Sequence, residues 1–119
     1  MAKIIIVEDE AIVAMATRMM LKNLSHEIVG NNALAEQAIP EILQKDVDLV
    51  LMDIKLKGAM DGIQAAEEIR KNKNTPILFI TGNSDAKTKQ RIMSIPNAHM
   101  IQKPVMMEDL KLALHKLLN

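Results

Sequence analysis

The stretch Ile4-Ile5-Ile6-Val7-Glu8-Asp9-Glu10 opens on four β-branched aliphatic residues and closes on three acids. A short run that is apolar at every position is the pattern of a strand covered on both faces, since a half-solvated strand alternates. The same grammar returns at Leu49-Val50-Leu51-Met52-Asp53 and at Ile77-Leu78-Phe79-Ile80-Thr81. Each run is bounded by polar or Gly/Pro punctuation and followed by residues at helical spacing, which is the signature of βαβ units on a parallel sheet. Five units can be counted, with strands expected at Lys3 to Val7, Glu27 to Asn31, Asp48 to Met52, Pro76 to Ile80 and Ala98 to Ile101. The three continuously apolar strands belong in the middle of the sheet.

The intervening helices differ in the strength of their signals. Ile12, Met15, Met19 and Met20 recur at helical spacing and predict a core-facing stripe, as do Leu110, Ala113, Leu114 and Leu117 near the C-terminus. A third helix is expected from Gly62 to Lys71, with Ile63, Ala66 and Ile69 inward and an i,i+4 pair from Glu67 to Lys71. The second, roughly Ala33 to Lys45, contains Pro40, whose missing N–H and bulky ring predict a kink or restart. The fourth, about Ser84 to Met93, has Ser84 as its expected N-cap but few apolar residues, so it is expected to be the most mobile element.

Composition narrows the classes of function. A chain of 119 residues can bury roughly two-thirds of its unfolded surface around one core, so a single domain over residues 1–119 is expected. Lys plus Arg and Asp plus Glu both count 15, which leaves no basic field for nucleic acid or anionic lipid. Absent cysteine removes thiolate metal sites and cysteine nucleophiles and fits a reducing, cytoplasmic setting. His26, His99 and His115 lack metal-ligand spacing and read as surface residues. No apolar run approaches the ~18 residues of a membrane span. Ten methionines against one phenylalanine suggest adaptable packing rather than chemistry.

In an open parallel sheet, ligands gather outside the carboxyl ends of the strands. Here the first strand ends in Glu8-Asp9-Glu10, the third in Asp53, the fourth in Thr81-Gly82 and the fifth in Lys103-Pro104. Taken singly, each has a plain structural explanation: an acidic helix start, a loop cap, a turn former, a solvated amine. Together they are specific. Carboxylates of Glu8, Asp9 and Asp53 crowded at one edge repel one another unless a hard cation neutralises them, and Mg²⁺ is the natural choice.

These residues carry a family resemblance across essentially the whole chain. The sequence resembles the receiver domain of two-component response regulators in Ile6-Val7-Glu8-Asp9-Glu10, Leu51-Met52-Asp53, Asp61-Gly62, Ile80-Thr81-Gly82 and Lys103-Pro104. The resemblance implies an α/β fold: a flavodoxin-like (βα)5 three-layer sandwich around a doubly wound five-stranded parallel sheet ordered 2-1-3-4-5. It implies that Asp53 accepts a phosphoryl group from a histidine kinase, with Mg²⁺ held by Glu8 through water, Asp9, Asp53 and the Lys55 backbone carbonyl. It further implies that Lys103 and Thr81 contact the phosphoryl group and that the Lys103-Pro104 bond is cis. Two departures accompany it. Ile54 to Met60 is one residue longer than the commonest spacing and lacks the usual Met-Pro pair, and Met100 stands where the family usually places Tyr, Phe or His.

The function so implied is a stand-alone, phosphorylation-controlled module that catalyses only its own phosphotransfer and dephosphorylation. Its partners would be a sensor histidine kinase and, through the fourth helix, fifth strand and fifth helix, a downstream protein or a histidine phosphotransfer protein. An aspartyl phosphatase would need Asp-x-Asp after the first strand, where Glu8-Asp9-Glu10 stands. A pseudo-receiver would be expected to lack Asp53, Asp9 or Lys103, and a nucleotide binder would want a phosphate-cradling loop where this chain has three acids.

Overall fold

The computed structural model describes residues 1–82 and 85–118. Strands and helices alternate as β1 (Lys3–Val7), α1 (Ala11–Asn23), β2 (Glu27–Asn32), α2 (Ala35–Gln44), β3 (Leu49–Asp53), α3 (Gly62–Arg70), β4 (Ile77–Thr81), α4 (Ala86–Met93), β5 (Ala98–Gln102) and α5 (Met107–Leu118). All strand pairs are parallel, in the order β2-β1-β3-β4-β5. The apolar strands β1, β3 and β4 are central, and every residue of β3 and β4 is buried. β2 and β5 form the edges and are largely half-buried.

Strand alternation divides the core into two layers. Ile5, Val7, Val50, Met52, Ile77 and Phe79 point toward α2, α3 and Ile92 of α4, while Ile4, Ile6, Leu49, Leu51, Leu78 and Ile80 meet Leu21 of α1 and Leu110, Ala113 and Leu114 of α5. Helices therefore cover both faces, which is the doubly wound, flavodoxin-like arrangement expected. Asp53 and Thr81 are the last residues of their strands rather than loop residues, because the ladder runs on through Asp53 paired with Ile80 and Thr81 paired with Gln102.

Several local expectations are corrected. α1 buries Ala14, Thr17 and Leu21, whereas Ile12, Met15 and Met19 are exposed to 83%, 53% and 60%; only Met20 of the expected stripe packs on the core. Pro40 neither ends nor restarts α2, which runs through it as one helix. The ring sits one turn and a half into the helix, so the missing N–H costs a bond to Glu36 near the start, where few turns precede it. Lys71, just past the end of α3 at Arg70, pairs with Glu68 at i,i+3 and 2.9 Å, one residue closer in sequence than the expected Glu67. Ser84, the expected cap of α4, lies outside the described residues; Asp85 caps that helix, its Oδ1 accepting from the Thr88 N–H at 2.8 Å. His26 and His99 are half-buried, and His26 Nδ1 accepts the Ala2 N–H at 3.0 Å, tying the N-terminus to β2.

Candidate functional site

The carboxyl ends of β1, β3, β4 and β5 meet at one edge of the sheet. Parallel pairing sets Val7 beside Met52, Asp53 beside Ile80 and Thr81 beside Gln102, so the residues that follow converge without any contribution from loop design. Glu8 and Asp53 are buried, at 7% and 4% exposure. The Lys103 N–H donates to the Thr81 carbonyl at 2.8 Å, and the Lys103-Pro104 peptide bond is cis.

Lys103 is the hub of the arrangement. Its Nζ donates to Asp53 Oδ2 at 3.3 Å and lies 3.5 Å from Glu8 Oε1 and 3.6 Å from Glu10 Oε1. Burial alone would lower the lysine's pKa, but the attraction of Asp53 and Glu8 outweighs it and raises the pKa above its ordinary value. Glu8 is raised too, but for a carboxyl that disfavours the charged form. Burial, followed by the charge of Asp53, lifts its carboxyl to about 7, although the Glu10 N–H, donating to Glu8 Oε2 at 3.1 Å, and Lys103 both pull it back. One ammonium is thus shared among more carboxylates than it neutralises.

Carboxylate oxygens of Glu8, Asp9 and Glu10 all lie within 4.8 Å of one another. These are hard oxygen donors with surplus negative charge, the donor chemistry that suits Mg²⁺ or Ca²⁺ and not a thiolate- or imidazole-loving ion. Asp9 also reaches across to the loop after β3, its Oδ2 accepting from the Lys57 N–H at 3.3 Å. That longer loop has a defined path. Ile54 is buried, Leu56 packs on the core, Gly58 turns at φ +99°, and Glu36 of α2 accepts from the Met60 N–H at 3.1 Å.

The structure therefore brings Glu8, Asp9, Asp53 and Lys103 together and sets Thr81 beside them in the sheet. Lys55 lies in the loop two residues beyond Asp53 with an exposed side chain, and Pro104 is exposed. Met100 lies farther back on β5, half-buried against the α2, α3 and α4 layer. Glu10 was not singled out as a partner of Lys103, although its place two residues after Glu8 in an acidic run offered the hint.

Known proteins resemble this chain in sequence and fold. Residues 4–115 match the model of the response regulator receiver domain family. The transcriptional regulatory protein PdtaR of Mycobacterium tuberculosis is 32% identical over 108 residues, covering 91% of this chain and 52% of that protein. The chain spans about half the length of such relatives. Among solved structures, the signal receiver domain of a modulated diguanylate cyclase from Desulfovibrio desulfuricans superimposes with a TM-score of 0.86 at 30% identity, covering 99% of this chain and 94% of that one. The receiver domain of a sensor histidine kinase from Pseudomonas aeruginosa, with a magnesium ion coordinated in its active-site cleft, shares the fold at a TM-score of 0.87 and 24% identity, covering 98% and 97% of the two chains. This chain belongs to the response regulator receiver domain family of two-component systems, and its fold is that of CheY-like receivers.

Proposed function

We propose that residues 1–119 act as a single receiver module in which Asp53 accepts a phosphoryl group from the phosphohistidine of a sensor histidine kinase. The observation that carries this reading is the contact of Lys103 Nζ with Asp53 Oδ2 at 3.3 Å, in a site where Glu8 and Asp53 are both buried. An Asp53 oxygen attacks phosphorus, the N–P bond of the donor breaks, and its electron pair returns to the imidazole nitrogen. Lys103 is already charged and aimed at the acceptor, so it can follow a phosphoryl oxygen as the new bond forms. Thr81, buried at the end of β4, would donate its hydroxyl to the same group.

Glu8, Asp9 and Asp53, with the Lys55 backbone carbonyl, would hold Mg²⁺, as the Pseudomonas receiver holds magnesium in its cleft. Bound there, the ion supplies charge neutralisation for the carboxylates and the transferred group. The donor needs a landing surface. The exposed stripe of Ile12, Met15 and Met19 begins two residues beyond Glu10, which itself touches Lys103, so a protein reaching Asp53 would cover it. The phosphorylated module then signals by protein binding or passes the group to a histidine phosphotransfer protein, through α4, β5 and α5, in the cytoplasm.

Acetyl phosphate in Mg²⁺, read by mass spectrometry, tests the acceptor. One phosphoryl group is expected on the wild type and none on Asp53→Asn or in EDTA. Equal labelling of the variant would reject the assignment.

A further inference from the structure

α4 is held to the domain by little apolar burial. Ile92 is its one buried residue, joined by Ile95 just past its end. A polar contact supplements them. The Arg91 guanidinium donates through Nη1 and Nη2 to Asp61 Oδ2, each at 3.2 Å.

The accepting carboxylate is not an idle surface acid. Asp61 Oδ1 accepts the Gln64 N–H at 2.8 Å while the Gln64 side chain accepts the Asp61 N–H at 2.9 Å, so the residue closes a capping box at the start of α3. Its neighbour Gly62 donates its N–H to the Ile54 carbonyl at 2.8 Å. Gly62 is also pressed on the end of β3, where a Cβ would collide with the Asp53 carbonyl oxygen and crowd the Met52 side chain. Asp53, Ile54, Gly62, Asp61 and Arg91 are therefore joined in an unbroken series of covalent and hydrogen-bonded contacts from the acceptor to α4.

We infer that the Asp61–Arg91 ion pair is a positioning contact that transmits the phosphorylation state of Asp53 to α4. This rests on the acceptor assignment above. Both partners are part-exposed, at 40% and 31%, and a pair of that kind adds little net stability. What it adds is direction: a planar guanidinium holding one carboxylate oxygen with two donors fixes a helix more tightly than a lone ammonium would. α4 is also the element that a small change can shift, because so few apolar contacts oppose its movement. The alternative route through β5 ends at Met100, a flexible thioether with no rigid pair of positions to switch between.

Amide hydrogen exchange over residues 86–93, with and without saturating beryllofluoride and Mg²⁺, tests the inference in the full chain. Wild type, Arg91→Ala, Arg91→Lys and Asp61→Asn are compared; asparagine still caps a helix but carries no charge for Arg91. The beryllofluoride-induced change in α4 exchange should fall at least about fivefold in Arg91→Ala and in Asp61→Asn, the lower end of ordinary allosteric coupling, and remain intermediate in Arg91→Lys. Labelling of Asp53 by acetyl phosphate should persist in all three. A purely structural contact would lower the melting temperature without altering the difference between the two states. A wild-type response in either Arg91→Ala or Asp61→Asn, or no α4 response in the wild type, overturns the inference while leaving the acceptor assignment standing. Failure of the wild type to accept acetyl phosphate overturns both.

Discussion

Replacing Glu8 with glutamine should stabilise the domain at pH 8 in the absence of Mg²⁺, and the gain should shrink as the pH falls. The Glu8 side chain is 5% exposed, and its carboxyl is lifted from 4.5 to about 7, first by burial and then by the charge of Asp53. Such a displacement corresponds to about 3 kcal/mol of cost in the ionised form. Because the folded pKa is raised, the contribution of Glu8 to stability is fully present below pH 4.5 and is lost as pH rises through about 7. Glutamine keeps the shape and an oxygen for the Glu10 N–H but never ionises, and Lys103 keeps Asp53 and Glu10 as partners. The expected gain is about 1 to 3 kcal/mol at pH 8 and less than about 1 kcal/mol at pH 5. His26 moves the other way: burial and the N-terminal charge lower its pKa, so its share is present above its ordinary pKa and lost on acidification. Comparing variant with wild type at each pH cancels that term. Urea unfolding across the pH range gives the difference directly, and saturating MgCl₂ should erase it by neutralising the ionised carboxylates. A variant no more stable than wild type at pH 8 without Mg²⁺, or one whose advantage is largest at pH 5, would refute the reasoning.

Two further outcomes follow from side chains at the surface and on β5. Paired Ile12→Ser and Met19→Ser substitutions should change stability by no more than about 0.5 kcal/mol, because neither side chain packs on the core. Phosphotransfer from the cognate kinase should slow at least about fivefold while acetyl phosphate labels Asp53 as before; equal kinase rates would remove the stripe from the docking surface. Met100→Ala should alter the phosphorylation-dependent gain in partner affinity by less than ~1 kcal/mol, against a typical coupling of about 1 to 3, as measured by binding with and without beryllofluoride. Loss of the whole gain, with Asp53 still accepting phosphate, would make Met100 a true switch.

The parts of the site that were legible in the sequence share one property: the sheet places them. Once β1, β3, β4 and β5 are identified, parallel register brings Glu8, Asp53, Thr81 and Lys103 to one edge, whatever the helices do. Contacts set by helix placement had no comparable rule. Arg91 and Asp61 stand thirty residues apart, and their meeting depends on how α4 is seated, which the sparse apolar pattern of Ala86–Met93 leaves open. The same holds for Glu36, whose acceptance of the Met60 N–H depends on a loop with no regular period to read.

α1 shows why a correct period can still give the wrong face. Ile12, Met15 and Met19 are spaced by three and four residues, and so are Ala14, Thr17 and Leu21. The two series are offset by two positions, about 200° around a helix, so they lie on opposite sides. Hydrophobicity favours the first series as the buried one, yet the second is buried. Close packing accounts for the inversion. Ala14 and Thr17 are small enough to let the helix backbone approach the sheet, and Leu21 fills the space against the Ile4 and Ile6 layer. Seating Ile12, Met15 and Met19 inward would place three long side chains where two of the three present ones are short, and overpacking of that kind typically costs about 1 to 3 kcal/mol. The larger side chains are thus left outside on a helix that starts beside the acidic site, and they form the apolar stripe proposed above as the landing surface for a phosphoryl donor.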